Sequence, residues 1–140
     1  LDRELRGEAP RCVTIIASAN VFTAPIEWAW ALSARGVRVI LKSARGLAPV
    51  GDAIAAALPG VEHREWRGGD LDAEAAALAQ SDAAIVFGSA ETIAAIRERS
   101  PVPMLGFGPR FGVAVVGQLR AVEAAGVALD HSLYDLLGCM

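Results

Sequence analysis

Cysteine is scarce in this sequence: Cys12 and Cys139 stand near opposite ends of 140 residues. Thiols placed that way make neither a disulfide framework nor a metal-ligand spacing. Histidine is equally sparse. His63 and His131 belong to no ligand motif, so both are expected to be structural or surface residues, and no metal site is expected. Net positive charge is also lacking. The net charge is -3 and no Lys/Arg run occurs, which excludes a basic field for nucleic acid or an anionic membrane. No apolar stretch approaches the ~18 consecutive apolar residues of a membrane span. No charged-then-apolar leader opens the chain, so a reducing cytoplasm is the expected compartment. Two phosphate-binding fingerprints are missing: no G-x-G-x-x-G follows a strand, and there is no P-loop. The first residue is Leu1 rather than Met, and the expectation is that this is not a complete native start.

What is present is an alternating rhythm. With 54% hydrophobic and 21% charged residues, the chain is long enough for one ordinary globular core. "CVTIIASA" (12–19) is a short apolar run rich in β-branched residues, a buried strand. "TAPIEWAWALSARG" (23–36) is a helix, with Thr23 able to cap it, Pro25 suited to its first turn and Gly36 to its exit. "VRVILKSA" (37–44) is a strand and "PVGDAIAAALPG" (49–60) a helix closed by Pro59 and Gly60. "VEHREWRG" (61–68) is a more polar strand, suited to a sheet edge. "DLDAEAAALAQ" (70–80) is a helix with acids in its first turn, which complements the helix dipole. "AAIVFGS" (83–89), "AETIAAIRERS" (90–100) and "VPMLGFG" (102–108) continue as strand, helix and strand. Strands alternating with helices at this interval specify an α/β fold with a doubly wound parallel sheet.

Beyond about residue 109 the rhythm changes. "PRFGVAVVG" is strand-like, and "QLRAVEAAGVALDHSLYDLLGCM" is a long helical stretch with no closing strand. The expected division is an α/β domain over 1–108 and the start of a second domain over 109–140.

In an open α/β sheet, ligands bind where loops leave the carboxyl ends of the strands. Three such exits carry suggestive residues. "SANVFTAP" places Asn20 after the first strand, and "LKSARG" places Lys42 and Arg45 after the second. "FGSAET" leads Gly88 and Ser89 straight into a helix N-terminus, where backbone N–H groups can meet a phosphate.

The order of an Asn loop, a strand ending in Lys-Ser-Ala and a later "VFGSAETI" resembles the cofactor domain of the aldehyde dehydrogenase superfamily. "DAAIVFGSAETIAAIRERSPVPMLGFGPRFGVAVVG" and the terminal "YDLLGCM" are similar to its acyl-CoA reductase branch, the LuxC-like fatty acyl reductases. The similarity runs over essentially the whole chain. It implies a Rossmann-like domain, an acyl-CoA or other acyl thioester substrate, and Cys139 as the acyl-accepting nucleophile. The chain would then be the cofactor domain plus the entry to the catalytic domain, stopped just past that nucleophile. Aldehyde-oxidising members of the superfamily carry a Glu, in an "ELGGK"-like segment, that activates water. The comparable "GFGPRFG" (106–112) has no carboxylate, which favours reduction over oxidation. NAD-preferring relatives often carry a Glu three residues after the lysine. Arg45 stands there instead, which implies NADP(H), with NAD(H) the other option.

Each assignment has a plainer counterpart. Cys139 could be a small buried hydrophobe, as free cysteines usually are, and the resemblance tips it to nucleophile. Nothing adjacent in sequence supplies a cation to lower its pKa, so activation would come from folding or bound cofactor. Asn20 could shape a turn. Alternatively its amide donates to a developing oxyanion, a contact worth roughly 3 kcal/mol. Lys42 could be a solvated strand-end residue, or contact a ribose as the resemblance implies. Gly88 and Ser89 could be only a tight turn and an N-cap. Cys12 starts a core strand and should be inert. Trp28 and Trp30 cannot share one helix face, so one should pack while the other borders a groove or interface. The leading function is an NAD(P)H-dependent acyl-CoA reductase; the alternatives are a non-catalytic nucleotide-binding or regulatory α/β domain, or an aldehyde dehydrogenase fragment. A response-regulator receiver, one form of the regulatory domain, needs clustered acids at strand ends, which "ASAN" does not supply. Homo-oligomerisation is left open.

Overall fold

The computed structural model describes residues 9–19 and 23–108. The chain divides into two compact units, Leu1–Pro109 and Arg110–Met140, and every described residue belongs to the first. The expectations for residues 109–140, Cys139 among them, fall outside the described residues, and so does Asn20.

Nine elements alternate without interruption: β1 (Cys12–Ile16), α1 (Ala24–Ser33), β2 (Arg38–Lys42), α2 (Ala48–Ala57), β3 (Val61–Arg64), α3 (Leu71–Leu78), β4 (Ala83–Phe87), α4 (Ala90–Arg99) and β5 (Met104–Phe107). All five strands run parallel in the order β3-β2-β1-β4-β5, a Rossmann-like arrangement. The polar strand, β3, is at the edge, as its composition suggested.

A parallel sheet buried on both faces needs strands that are apolar throughout. β1 is buried at all five positions, with Thr14 its one polar residue, and β4 is apolar throughout and buried at four of its five. Val13, Ile15, Val39, Leu41, Ile85 and Phe87 form one face, against Ala29 of α1 and Ile54 of α2. Ile16, Ala84 and Val86 form the other, against Leu78 of α3 and Ile93 and Ile96 of α4; Ile40 packs there with Ala77. The sheet is therefore doubly wound. Buried polar groups are satisfied: Thr14 Oγ1 and Ser81 Oγ are 2.6 Å apart, and Ser81 donates to the Ala77 carbonyl at 3.2 Å. Cys12 is a free, buried thiol at the head of β1.

Local signals explain most boundaries. Gly36 and Gly60 take positive φ values of 73° and 75° after α1 and α2, a backbone region that favours glycine. Asp70 caps α3 by accepting from Ala73 N, and Ser89 caps α4 by accepting from Thr92 N. Thr23 occupies the N-cap of α1, but its hydroxyl makes no capping bond; its carbonyl accepts from Ile26 N at 3.0 Å. Trp28 packs its ring 5.8 Å from Phe107, whereas Trp30 is 63% exposed beside Ile26 in a shallow apolar groove between α1 and α2.

Candidate functional site

Because the strands are parallel, all five carboxyl ends open on one edge. The strand order reverses between β1 and β4, and an open α/β sheet presents its ligand crevice at that point. The exits flanking it are Ala17–Ala19 after β1 and Gly88–Ser89 after β4, and the exit after β2, Ser43–Gly46, lies one strand away. Lys42, Arg45, Gly88 and Ser89 all lie on this edge. The segment before Asn20 leaves the same edge, where Ala17 N donates to Lys42 O at 2.9 Å.

The β2 exit is shaped by a turn. Leu47 N donates to Ala44 O at 3.0 Å, and Gly46 between them has φ 79°. A positive φ at the third position with that bond is a type II turn. Arg45 is held at the second position, exposed to solvent. A second turn of the same kind follows β3: Asp70 N donates to Arg67 O at 3.0 Å, with Gly69 at φ 89°. Between the two turns runs an open groove of about 590 Å³, lined by Ser43, Arg45, Glu65, Trp66, Arg67 and the backbone around them.

Lys42 ends β2 on the opposite face of the sheet from Leu41, towards α3. Among the described residues its ammonium makes no hydrogen bond or ion pair. Partial burial lowers its pKa from the usual lysine value, and Arg45 adds to that; the carboxylates of Glu74 and Glu65 act in the other direction. Glu74 is itself buried and paired to Arg99 Nε at 2.7 Å, so it is not free to neutralise the lysine. A desolvated cation without a direct partner favours a ligand that brings negative charge.

Gly88 and Ser89 have an evident structural use. A Cβ on Gly88 would stand 3.3 Å from Thr92 Cβ, and the Ser89 hydroxyl is occupied with Thr92. Glu91 lies in the first turn of α4, and its carboxyl is held below the usual range chiefly by the Ser89 hydroxyl. The α4 N-terminus thus already holds a carboxylate close to the place a phosphate would take.

Sequence reasoning missed one cluster. His63 is buried, with its side chain 6% exposed. Its Nε2 stands 2.9 Å from Ser43 Oγ and its Nδ1 stands 2.8 Å from Asp52 Oδ1. The ring lies over Gly51, where an added Cβ would come within 2.4 Å of it. A glycine inside an otherwise strong helix was the available signal, since such a glycine marks close approach. Trp66 and Arg67, which line the groove, were likewise not singled out.

The edge as a whole carries a polar groove with two cations, Arg45 and Arg67, and one carboxylate, Glu65, while Lys42 ends β2 beside it on the other face of the sheet, a setting that suits an anionic ligand. A family model described as Acyl-CoA reductase (LuxC) matches residues 52–140. The chain belongs to the LuxC acyl-CoA reductase family. No curated relative and no solved structure matches it. The stretch matched to the LuxC family starts inside α2 and reaches Met140. It includes His63, Gly88, Ser89 and Cys139, whereas Asn20, Lys42, Ser43 and Arg45 precede it. Among the described residues no helix is long and apolar enough to cross a membrane.

Proposed function

We propose that this chain contributes to an NADPH-dependent reduction of acyl-CoA to aldehyde, with Cys139 as the acyl-accepting nucleophile. Residues 1–108 serve as the cofactor-binding domain and 109–140 as the opening of the catalytic domain. The observation that carries the reading is the match to the LuxC reductase family, which extends through the terminal Gly-Cys.

The residues present fit a nicotinamide dinucleotide. Among the described residues Lys42 is partly desolvated and has no direct partner, Arg45 sits on a turn, and no carboxylate stands between Lys42 and Asp52 in the sequence to repel a 2′-phosphate. Lys42 and Arg45 hold the adenosine side, and Gly88 and Ser89 lie where the chain passes the switch point. When bound, the reduced nicotinamide supplies a hydride. In the first step the Cys139 thiolate attacks the thioester carbonyl, the bond from carbon to coenzyme A sulfur breaks, and the thiol leaves with a proton. The Asn20 amide donates to the oxyanion formed on the way. After hydride addition to the acyl carbon, the Cys139 sulfur departs and is reprotonated, and aldehyde is released. "GFGPRFG" offers no carboxylate to activate water, so the acyl-enzyme is kept for the hydride.

The test is acylation of the full-length protein. Incubated with a fatty acyl-CoA and no reduced cofactor, it should gain one acyl group on the peptide containing Cys139, read by mass spectrometry. Cys139→Ala should abolish the adduct, and Cys12→Ala should retain it. Acylation that persists in Cys139→Ala would overturn the assignment.

A further inference from the structure

Ser43, His63 and Asp52 form a polar chain reaching from the groove into α2, and its proton bookkeeping is constrained. A carboxylate only accepts hydrogen bonds, so the 2.8 Å contact to Asp52 Oδ1 places a hydrogen on His63 Nδ1. In the neutral ring Nε2 is then a bare acceptor, and the Ser43 hydroxyl must donate to it across 2.9 Å. The serine oxygen presents only lone pairs elsewhere. When the ring is protonated, Nε2–H donates to Ser43 Oγ instead. The serine hydrogen is released and can be given to a ligand oxygen.

Ser43 sits in the right place for that reversal to matter. It lies between Lys42 and Arg45, it is buried, and it lines the groove that Arg45 and Arg67 border. We propose that His63 is a positioning residue for a phosphate-bearing cofactor: its protonation turns Ser43 from acceptor to donor at the β2 exit, so that binding of the 2′-phosphate takes up a proton at His63. This inference rests on the cofactor reading given above.

Among the described residues the charged surroundings of the ring are few. Asp52, on α2, contacts it directly and is 74% exposed. Glu65 lies two residues along the chain and Arg45 in the turn after β2; both are exposed at the groove. Lys42, Glu62 and Arg64 alternate to the other face of the sheet. A phosphate oxygen that accepts from the Ser43 hydroxyl needs the hydrogen on His63 Nε2, so bound phosphate and protonated His63 support one another through Ser43, which is linkage between a ligand and a proton.

The experiment uses the full-length protein with NADP+ and NAD+, both stable over the pH range required. Imidazole ¹⁵N shifts above pH 8, without cofactor, should identify the Nδ1–H tautomer of His63; an Nε2–H tautomer overturns the proposal. Calorimetric titration in buffers of different ionisation enthalpy then counts protons. Near pH 7, wild type should take up more protons on binding NADP+ than His63→Gln does, with a difference of up to about one proton. Ser43→Ala, which leaves the imidazole in place, should lose the same difference. The titration of the 2′-phosphate itself is common to all three proteins and drops out. NAD+ should show no difference between them. Proton uptake equal in wild type and both variants, with NADP+ bound, overturns this proposal alone. No binding of NADP+ to wild type removes the cofactor reading, and this proposal with it.

Discussion

Arg45 owes its placement to a neighbour rather than to its own contacts. Gly46 at φ 79° closes the turn, and the guanidinium is left exposed over the groove. A guanidinium fork matches phosphate oxygens bidentately, whereas a carboxylate at the same point would accept from ribose hydroxyls and repel a 2′-phosphate. Arg45→Glu should therefore move cofactor preference from NADPH toward NADH. One charge-assisted contact is worth roughly 1.5–3 kcal/mol, so the ratio of kcat/KM values should change by at least about tenfold. Steady-state kinetics with both cofactors decides the matter, and an unchanged ratio shows that Arg45 does not read the phosphate. Lys42 belongs to the same local reading. Its lysine-to-glycine neighbourhood, "KSARG", is contiguous in sequence, which is why both cations could be located before any fold was known.

At the level of the elements, α2 and β3 meet through a vacancy in the helix. Glycine in a helix interior is normally about 1 kcal/mol worse than alanine, so propensity alone says that Gly51→Ala should stabilise. The structure reverses the sign. The new Cβ would fall 2.4 Å from a His63 ring whose two nitrogens are both engaged and which has little room to move. Overpacking of this kind costs about 1–3 kcal/mol, which for a domain of this size lowers Tm by several degrees. In a His63→Ala background the same substitution should become neutral or stabilising. A thermal melt of the four proteins of that cycle tests it: a Gly51→Ala penalty that survives removal of His63 sinks the explanation. The same region shows where sequence legibility ended. Every helix and strand of 12–108 was readable, because each carries a period or run of its own. The edge position of β3 was readable from its polarity. The Ser43–His63–Asp52 chain was not, because it depends on the register that sets Leu41 opposite His63 and on α2 lying over β3. Both are properties of packing between elements, and no residue spacing encodes them. Glu74 is among the first-turn acids of α3, yet the packing of α3 beside α4 buries it against Arg99.

For the molecule as a whole, several surface carboxylates act as clasps and tie its stability to acid. Asp82 at the head of β4 accepts from Arg11 N at 2.7 Å and from Cys12 N at 3.0 Å, while its own N–H donates back to Cys12 O at 2.8 Å. It thus joins the two central strands at their amino ends. Its pKa is lowered chiefly by the bond from Arg11 and next by that from Cys12. Glu62 is lowered chiefly by the Arg64 guanidinium and further by Arg38, across the β2–β3 edge. Glu91 is lowered first by the Ser89 hydroxyl at the start of α4. Each group binds its proton less readily folded than unfolded. Its contribution is therefore present above the ordinary carboxylate range, near pH 4, and is lost as pH falls through the folded value. All three have the same sign, so their losses accumulate in one window. The urea midpoint should be nearly level from pH 7 to about 5 and fall steeply below about 4. Asp82→Asn keeps an acceptor oxygen for the two N–H groups but cannot titrate. It should be less stable than wild type at pH 7 and lose less on acidification, so that the two curves converge near pH 3. Parallel curves for wild type and Asp82→Asn across that range would show that the clasp between β1 and β4 carries none of the acid sensitivity.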